Sequence, residues 1–288
     1  MKNEPILAAY RKTPFTLIEL LVVFTITALL AGLLLPGLTH ARKRAKYARW
    51  KAFVNNLRND ESLIAQWTFE DLDKNDKLKN KALGLKDERY KSETFDGELL
   101  GKMAKTKFRG RWNKNALFFL GTRDTFVKIK DLGYFHEKAP KGMTIIVWFK
   151  PTSYNFSVQP LISERSPNQV QAGWNFGIKR KSPFVWVNNN LYQSSKSISN
   201  TSDWHMGTAV FDYENAKVKI YIDAEEFLNA KMKYREITRP VKEKEIGLRI
   251  GSNQSETKIF HGYIDEIEIF NRALSYNEIK NFYEIGGH

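Results

Sequence analysis

Residues 15–38 read FTLIELLVVFTITALLAGLLLPGL, and among these 24 positions Glu19 is the one ionisable side chain. Residues 20–38 form an unbroken apolar run of 19. At about 1.5 Å per residue this makes roughly 28 Å of helix, close to the ~30 Å hydrocarbon thickness of a bilayer. A soluble helix needs a polar face, and nothing wider than Thr25 and Thr27 is offered here. A signal peptide has a shorter apolar region, about 7–15 residues, before a small-residue cleavage site. This run is longer and ends in Leu35-Pro36-Gly37-Leu38, so it reads as a membrane span. A carboxylate in lipid costs about 2.5–3.5 kcal/mol at the bilayer centre, so Glu19 either lies at headgroup level or has a partner.

Outward from the span, residues 1–14 are polar, basic and without apolar periodicity, and form a leader. After it, Ala41, Ala45, Ala48, Ala52, Val54 and Leu57 recur near helical spacing with Arg and Lys between them. The helix is therefore expected to continue as an amphipathic stem to about Glu61, bending near Gly32 and Pro36. The net charge is +14, and residues 1–60 hold ten Lys or Arg against Glu4, Glu19 and Asp60. Half the excess thus surrounds the span, which suggests anionic lipid or surface polymers at least as much as nucleic acid, and no specific nucleic-acid partner is expected. Arg42, Lys43, Arg44, Lys46, Arg49 and Lys51 follow the helix, against Lys2, Arg11 and Lys12 before it; taken alone this asymmetry favours a cytoplasmic C-terminal side.

The 288 residues leave room for one large domain after the helix, at 62–288. With 42% hydrophobic and 13% aromatic residues a packed core is expected. Cysteine is absent, which excludes disulfides, thiolate metal sites and cysteine nucleophiles. Residues 63–69 are rich in strand formers, and a lysine-rich tract over 71–115 reads mainly as long loops. Short strands follow at 116–120, 125–130, 143–150, 160–164, 174–179, 184–187, 206–213, 217–223, 247–250 and 260–270. Such spacing predicts an antiparallel sandwich or jelly roll. Ser275 with Glu278 three residues on predicts a capping box and a final helix.

Two resemblances add to this reading. Arg11-Lys12-Thr13-Pro14-Phe15-Thr16-Leu17-Ile18-Glu19-Leu20-Leu21 resembles the N-terminal motif of type IV pilins and type II secretion pseudopilins. The resemblance implies cleavage by a prepilin peptidase between Pro14 and Phe15, N-methylation of Phe15, and pairing of Glu19 with the free N-terminus of a neighbouring pilin or pseudopilin subunit. It also implies a single-pass protein of the bacterial inner membrane with its C-terminal domain periplasmic or extracellular, the reverse of the charge asymmetry. Pro14 stands where the family has glycine or alanine, so the peptidase would cut slowly or not at all. The second resemblance covers about 62–286. It rests on Gln66-Trp67-Thr68-Phe69-Glu70, Ala116-Leu117-Phe118-Phe119-Leu120-Gly121, Met143 through Pro151, Asp203-Trp204-His205-Met206, Val218 through Asp223 and Gly262 through Ser275. These look like the laminin-G-like, concanavalin A-like jelly-roll family. The resemblance implies two packed antiparallel sheets and binding of glycans or proteins, in some members through calcium. An Asp-Gly turn common in the family is Asp223-Ala224 here.

Candidate chemistry is sparse. Tyr263-Ile264-Asp265-Glu266-Ile267-Glu268 is similar to the paired-glutamate strand of glucanases with this fold, but Tyr263 replaces the nucleophile, so hydrolysis, which needs carboxyls about 5–5.5 Å apart, is not expected. Asp265 reads as a satisfied polar group near a sheet edge, with Glu266 and Glu268 facing solvent. Asp124 and Asp265 could each give oxygen ligands to calcium, which takes about six to eight; no other cofactor is implied. Trp112 and Tyr192 are the candidate surface aromatics for stacking on sugars, with Trp67, Trp148 and Trp204 expected in the core. The expectation is a mainly β, non-enzymatic protein: a pilin-like membrane subunit (leader 1–14, transmembrane and stem helix 15–61) displaying a lectin-like jelly-roll head. A monomeric membrane-anchored carbohydrate- or protein-binding module is the alternative, and a glycan hydrolase is the weakest reading.

Overall fold

The computed structural model describes residues 16–70, 77–83, 95–101, 104–106, 110–122, 125–130, 141–154, 157–165, 172–235, 237 and 247–287. They form two compact units divided between Tyr47 and Ala48.

Helix α1, Leu17–Leu57, carries the whole apolar run and remains helical through Gly32 and Pro36. It is long and apolar enough to cross a membrane. Every residue of 16–46 is exposed. Its threonines hide their hydroxyls along the helix: Thr25 Oγ1 donates to the Val22 carbonyl at 2.8 Å and Thr27 Oγ1 to the Val23 carbonyl at 2.9 Å. Such back-bonding satisfies polar groups that lipid could not.

The second unit is a β-sandwich. The first sheet runs in the order β14 (Glu225–Lys231), β13 (Lys217–Ile222), β12 (His205–Asp212), β7 (Gly142–Pro151), β16 (His261–Phe270), β5 (Ala116–Leu120) and β4 (Ala104–Thr106), with β1 (Leu63–Trp67) also paired to β16. The second runs β11 (Asn190–Gln193), β10 (Ser182–Val187), β9 (Gly173–Lys179), β8 (Gln159–Arg165), β15 (Leu248–Ile250), β6 (Phe126–Ile129), β3 (Gly97–Leu100) and β2 (Lys77–Leu78). All pairings among these strands are antiparallel.

The period of two in β7 decides the layering. Met143, Ile145, Val147 and Phe149 enter the core between the sheets with Val127, Leu161 and Phe176. Ile146 and Trp148 point the other way, into a second core with Trp50, Val54, Ile279 and Phe282. The last turns of α1 and helix α2, Tyr276–Gly286, therefore cover the outer face of the first sheet. Burying each of these large apolar side chains contributes about 1.5–3 kcal/mol. The expected capping box closes α2: Ser275 N–H donates to Glu278 Oε2 at 2.8 Å, and Glu278 N–H to Ser275 Oγ at 3.4 Å.

Four expectations are corrected. The stem helix stops at Leu57, because Asp60 Oδ1 accepts from the Ser62 N–H and Oγ at 2.8 and 2.6 Å and turns the chain into β1. The lysine-rich tract contains β2, β3 and β4, short strands recruited by pairing with β6 and β5 rather than by their own propensity. β11 and β14 were not anticipated either. β14 follows a two-residue turn, with Asp223 and Ala224 both left-handed at φ 54° and 63°, that closes a hairpin with β13.

Candidate functional site

A single extra residue in β16 builds a buried cluster of charges in the head. Opposite β7, Ile264 faces Phe149 and Glu266 faces Trp148, so Asp265 has no counterpart and forms a β-bulge. In a regular strand Asp265 and Glu266 would point to opposite faces; the bulge turns both outward, beneath the helices. Ile264, Ile267 and Ile269 keep the inner face.

Two cations meet these acids from the 3-10 turn Arg111–Asn113 and the residue after it. The backbone N–H and Nε of Arg111 donate to Asp265 Oδ2 at 2.9 and 3.2 Å, Nη1 donates to the Gly286 carbonyl at 2.7 Å, and Nη2 donates to Glu266 Oε2. The guanidinium lies 3.7 Å from the centre of the Trp148 ring, with Trp112 at 4.6 Å and Trp50 at 4.8 Å. Lys114 Nζ sits 2.5 Å from Asp265 Oδ1 and donates to Glu266 Oε1, which also accepts the Trp50 indole N–H at 2.9 Å. Burial alone would lower the Lys114 pKa, but the Asp265 and Glu266 charges outweigh it and hold it above the usual lysine range.

Glu268 completes the cluster without a cation. It is fully buried on the same face, and neither of its oxygens has a hydrogen-bond partner. Burial, then the nearby Glu266 charge, push its pKa well above the ordinary carboxylate range. Two cations thus balance Asp265 and Glu266, while burial favours the neutral form of Glu268. The expectation that Glu266 and Glu268 face solvent is corrected: they are 2% and 0% exposed. β16 lies inside the sheet between β7 and β5, so Asp265 is not near an edge. Expected as a calcium ligand, Asp265 lies instead against Arg111 and Lys114, whose charges already compensate its carboxylate. Among the described residues no group of three His, Asp or Glu side chains could hold a metal.

Towards the open end of the same sheet face the charge gives way to aromatic side chains. Phe118 stands opposite Tyr263, and Tyr263 opposite Lys150. The Phe118 and Tyr263 rings are 4.6 Å apart, Trp204 is 6.4 Å from Tyr263, and His261 is 6.0 Å from Phe118. Phe118, Lys150 and Tyr263 are half-buried and Leu120 is exposed. Trp204 is held by its neighbour: His205 Nδ1 meets Asp223 Oδ2 at 2.7 Å and Nε2 meets the Asn200 carbonyl at 2.9 Å. Two acceptors on one ring favour the imidazolium. Burial would lower its pKa, but Asp223 raises it above the ordinary histidine value. Half-exposed rings beside an ammonium and a phenol suit a ligand with an apolar C–H face and hydroxyls.

The other expected residues fall elsewhere. Trp112 is packed over Arg111 and 5.9 Å from Trp50, at φ 51°, as part of the cluster. Tyr192 leans on the core between the sheets and its hydroxyl accepts the Lys233 N–H at 2.9 Å. Glu19 is capped within its own chain: Thr16 N–H and Oγ1 donate to Glu19 Oε2 at 2.9 and 2.8 Å, and Glu19 N–H donates back to Thr16 Oγ1 at 3.3 Å. Pro14, Phe15 and Asp124 lie outside the described residues. Sequence reasoning missed Arg111, Lys114, Phe118 and Tyr263 as members of a site. A signal for the bulge was present: the isoleucines of β16 are spaced by three and then by two, at 264, 267 and 269.

The model of the concanavalin A-like lectin/glucanases superfamily matches residues 120–280, more than half of the chain. The chain belongs to this superfamily. No curated protein matches the sequence. Among solved structures, the lectin-like head is similar to domain 4 of AbnA, an extracellular arabinanase of Geobacillus stearothermophilus solved with arabinotriose, with 15% identity, TM-score 0.54, and 77% of this chain and 98% of that one covered. It is also similar to the binding domain of botulinum neurotoxin DC solved with rat synaptotagmin II, at 13% identity and TM-score 0.55, over 78% of this chain and 52% of that one. A third likeness is to botulinum neurotoxin type C, whose cell entry depends on two ganglioside molecules, at 12% identity and TM-score 0.56, over 83% and 53%. The chain spans about half the length of these toxin structures. At such identities the likeness is one of fold.

Proposed function

We propose that this chain is a pilin-like or pseudopilin-like subunit of a bacterial inner membrane, assembled through its N-terminal helix and displaying a non-enzymatic, glycan- or protein-binding head outside the cytoplasm. The observation that carries the binding role is the half-buried pair Phe118 and Tyr263 beside Lys150, backed by the buried Trp204. Binding of arabinotriose, gangliosides and synaptotagmin by structures of similar fold supports it. A binding rather than hydrolytic role is supported by the ion-paired Asp265 and Glu266 and the buried Glu268, which leave no pair of open carboxyls for acid–base work. Glycan-array binding by the detergent-solubilised full chain tests this: Tyr263→Ala and Phe118→Ala should each weaken binding at least about fivefold, as loss of an aromatic contact of about 1–3 kcal/mol requires. Equal binding by both variants would remove the pair from the account.

The assembly role rests on the string from Arg11 to Leu21 and on the length of the apolar helix. In native cells a mature chain starting at N-methylated Phe15, and loss of subunit cross-linking in Glu19→Ala, are the expected outcomes. A full-length, uncross-linked chain indifferent to Glu19→Ala would leave the monomeric anchored module. One observation favours that second reading: Thr16 already satisfies the Glu19 carboxylate within the chain.

A further inference from the structure

We infer that Arg42, Lys43, Arg44 and Lys46 form a collar that binds the phosphates of anionic lipids in the leaflet on the head's side of the membrane, an inference that rests on α1 spanning a bilayer. The four lie on α1 and all are exposed, and among the described residues no ion pair or side-chain hydrogen bond engages them. No acid occurs between Glu19 and Asp60, so no counter-charge is at hand within this stretch. Spacings of three (Lys43 to Lys46) and four (Arg42 to Lys46) bring like charges together on a helix surface, and such pairs destabilise it. The stretch therefore calls for anions from outside the chain.

Two features of the helix select the anion. At ~100° per residue, Arg42, Lys43 and Arg44 point to three different sides, with Lys46 returning near Arg42. A protein groove or a duplex approaches a helix from one side, whereas lipid headgroups surround it. The second feature is depth. With ~1.5 Å per residue, the collar lies about 6–12 Å beyond Leu38, the last apolar residue of the span. The headgroup layer occupies the outer 5–8 Å or so of each leaflet, and long basic side chains reach back towards it. Arg guanidinium groups suit bidentate phosphate contacts.

The test uses the full chain reconstituted in phosphatidylcholine vesicles doped with spin-labelled phosphatidylglycerol or spin-labelled phosphatidylcholine. The expected result is a preference of at least about fivefold for phosphatidylglycerol at the protein boundary in low salt, since each basic residue near an anionic surface contributes roughly 1 kcal/mol. That preference should fall below about twofold in 1 M NaCl, where the screening length is ~3 Å. It should fall likewise when Arg42→Gln, Lys43→Gln, Arg44→Gln and Lys46→Gln are combined. Equal boundary occupancy by the two lipids, or a preference that survives the four substitutions, would overturn the collar while leaving the span intact. Tight binding of a duplex oligonucleotide that the four substitutions abolish, without lipid preference, would assign the charge to nucleic acid instead. Extraction of the chain from both vesicle types by alkaline carbonate would remove the membrane reading and the collar with it.

Discussion

Trp50, near the end of α1, donates its indole N–H to Glu266 Oε1 in β16 at 2.9 Å, across 216 residues of sequence. The bond lies under α2, where Gly286 offers its carbonyl to Arg111. An added Cβ at Gly286 would come within 2.7 Å of both Trp50 and Trp148. The last turns of the stem helix are thus part of the head's second core and, with α2, close over the ion cluster.

Replacing Trp50 should accordingly destabilise the head rather than only the helix. Trp50→Ala removes a fully buried ring and is expected to cost about 3–5 kcal/mol. Trp50→Phe keeps most of the packing, loses the bond to Glu266 and should cost about 1–3 kcal/mol. Urea unfolding in detergent, followed by near-ultraviolet circular dichroism, separates the two.

Glu268 gives a pH dependence of definite sign. Its carboxyl is raised in the fold above an ordinary value of 4.5, first by burial and then by Glu266. Stability at this group is therefore greatest below the unfolded value and declines as pH rises above it. Glu268→Gln should match the parent near pH 4 and exceed it near pH 8. A variant weaker than the parent at pH 8 would mean that Glu268 is ionised and paired.

Glu278 has the opposite sign. The hydrogen bond from Arg272, with help from Ser275, lowers its pKa from 4.5 to about 2. Its contribution is present above pH 4.5 and lost as pH falls through about 2. Glu278→Gln should cost about 1 kcal/mol at pH 7, as loss of a helix cap does, and the difference from the parent should vanish near pH 2. Thermal melts at several pH values provide the measure.

The turn between β13 and β14 holds Ala224 in a left-handed conformation at φ 63°. For a residue with a Cβ this costs roughly 1–2 kcal/mol, while glycine carries an entropy cost of about 0.5–1. Ala224→Gly should thus raise stability by roughly 0.5–1 kcal/mol, seen as a melting temperature higher by about 1–4 °C. A lower melting temperature would show that the methyl group's packing against the second core dominates.

Amino-acid order alone determined the apolar helix, the alternation of β6 and β13, and the capping box at Ser275, because each depends on neighbours within a few residues. The edge strands β4, β11 and β14 escaped it, since their pairing is imposed by partners elsewhere in the fold. Tertiary structure alone decided where the charge went. Whether Asp265 and Glu266 meet water or Arg111 depends on one unpaired residue in β16 and on two helices that close over it, and both facts belong to contacts between segments far apart in sequence, such as Arg111 and Asp265. A buried carboxylate is tolerated only where a cation is held against it, and a chain read one residue at a time does not contain that distance.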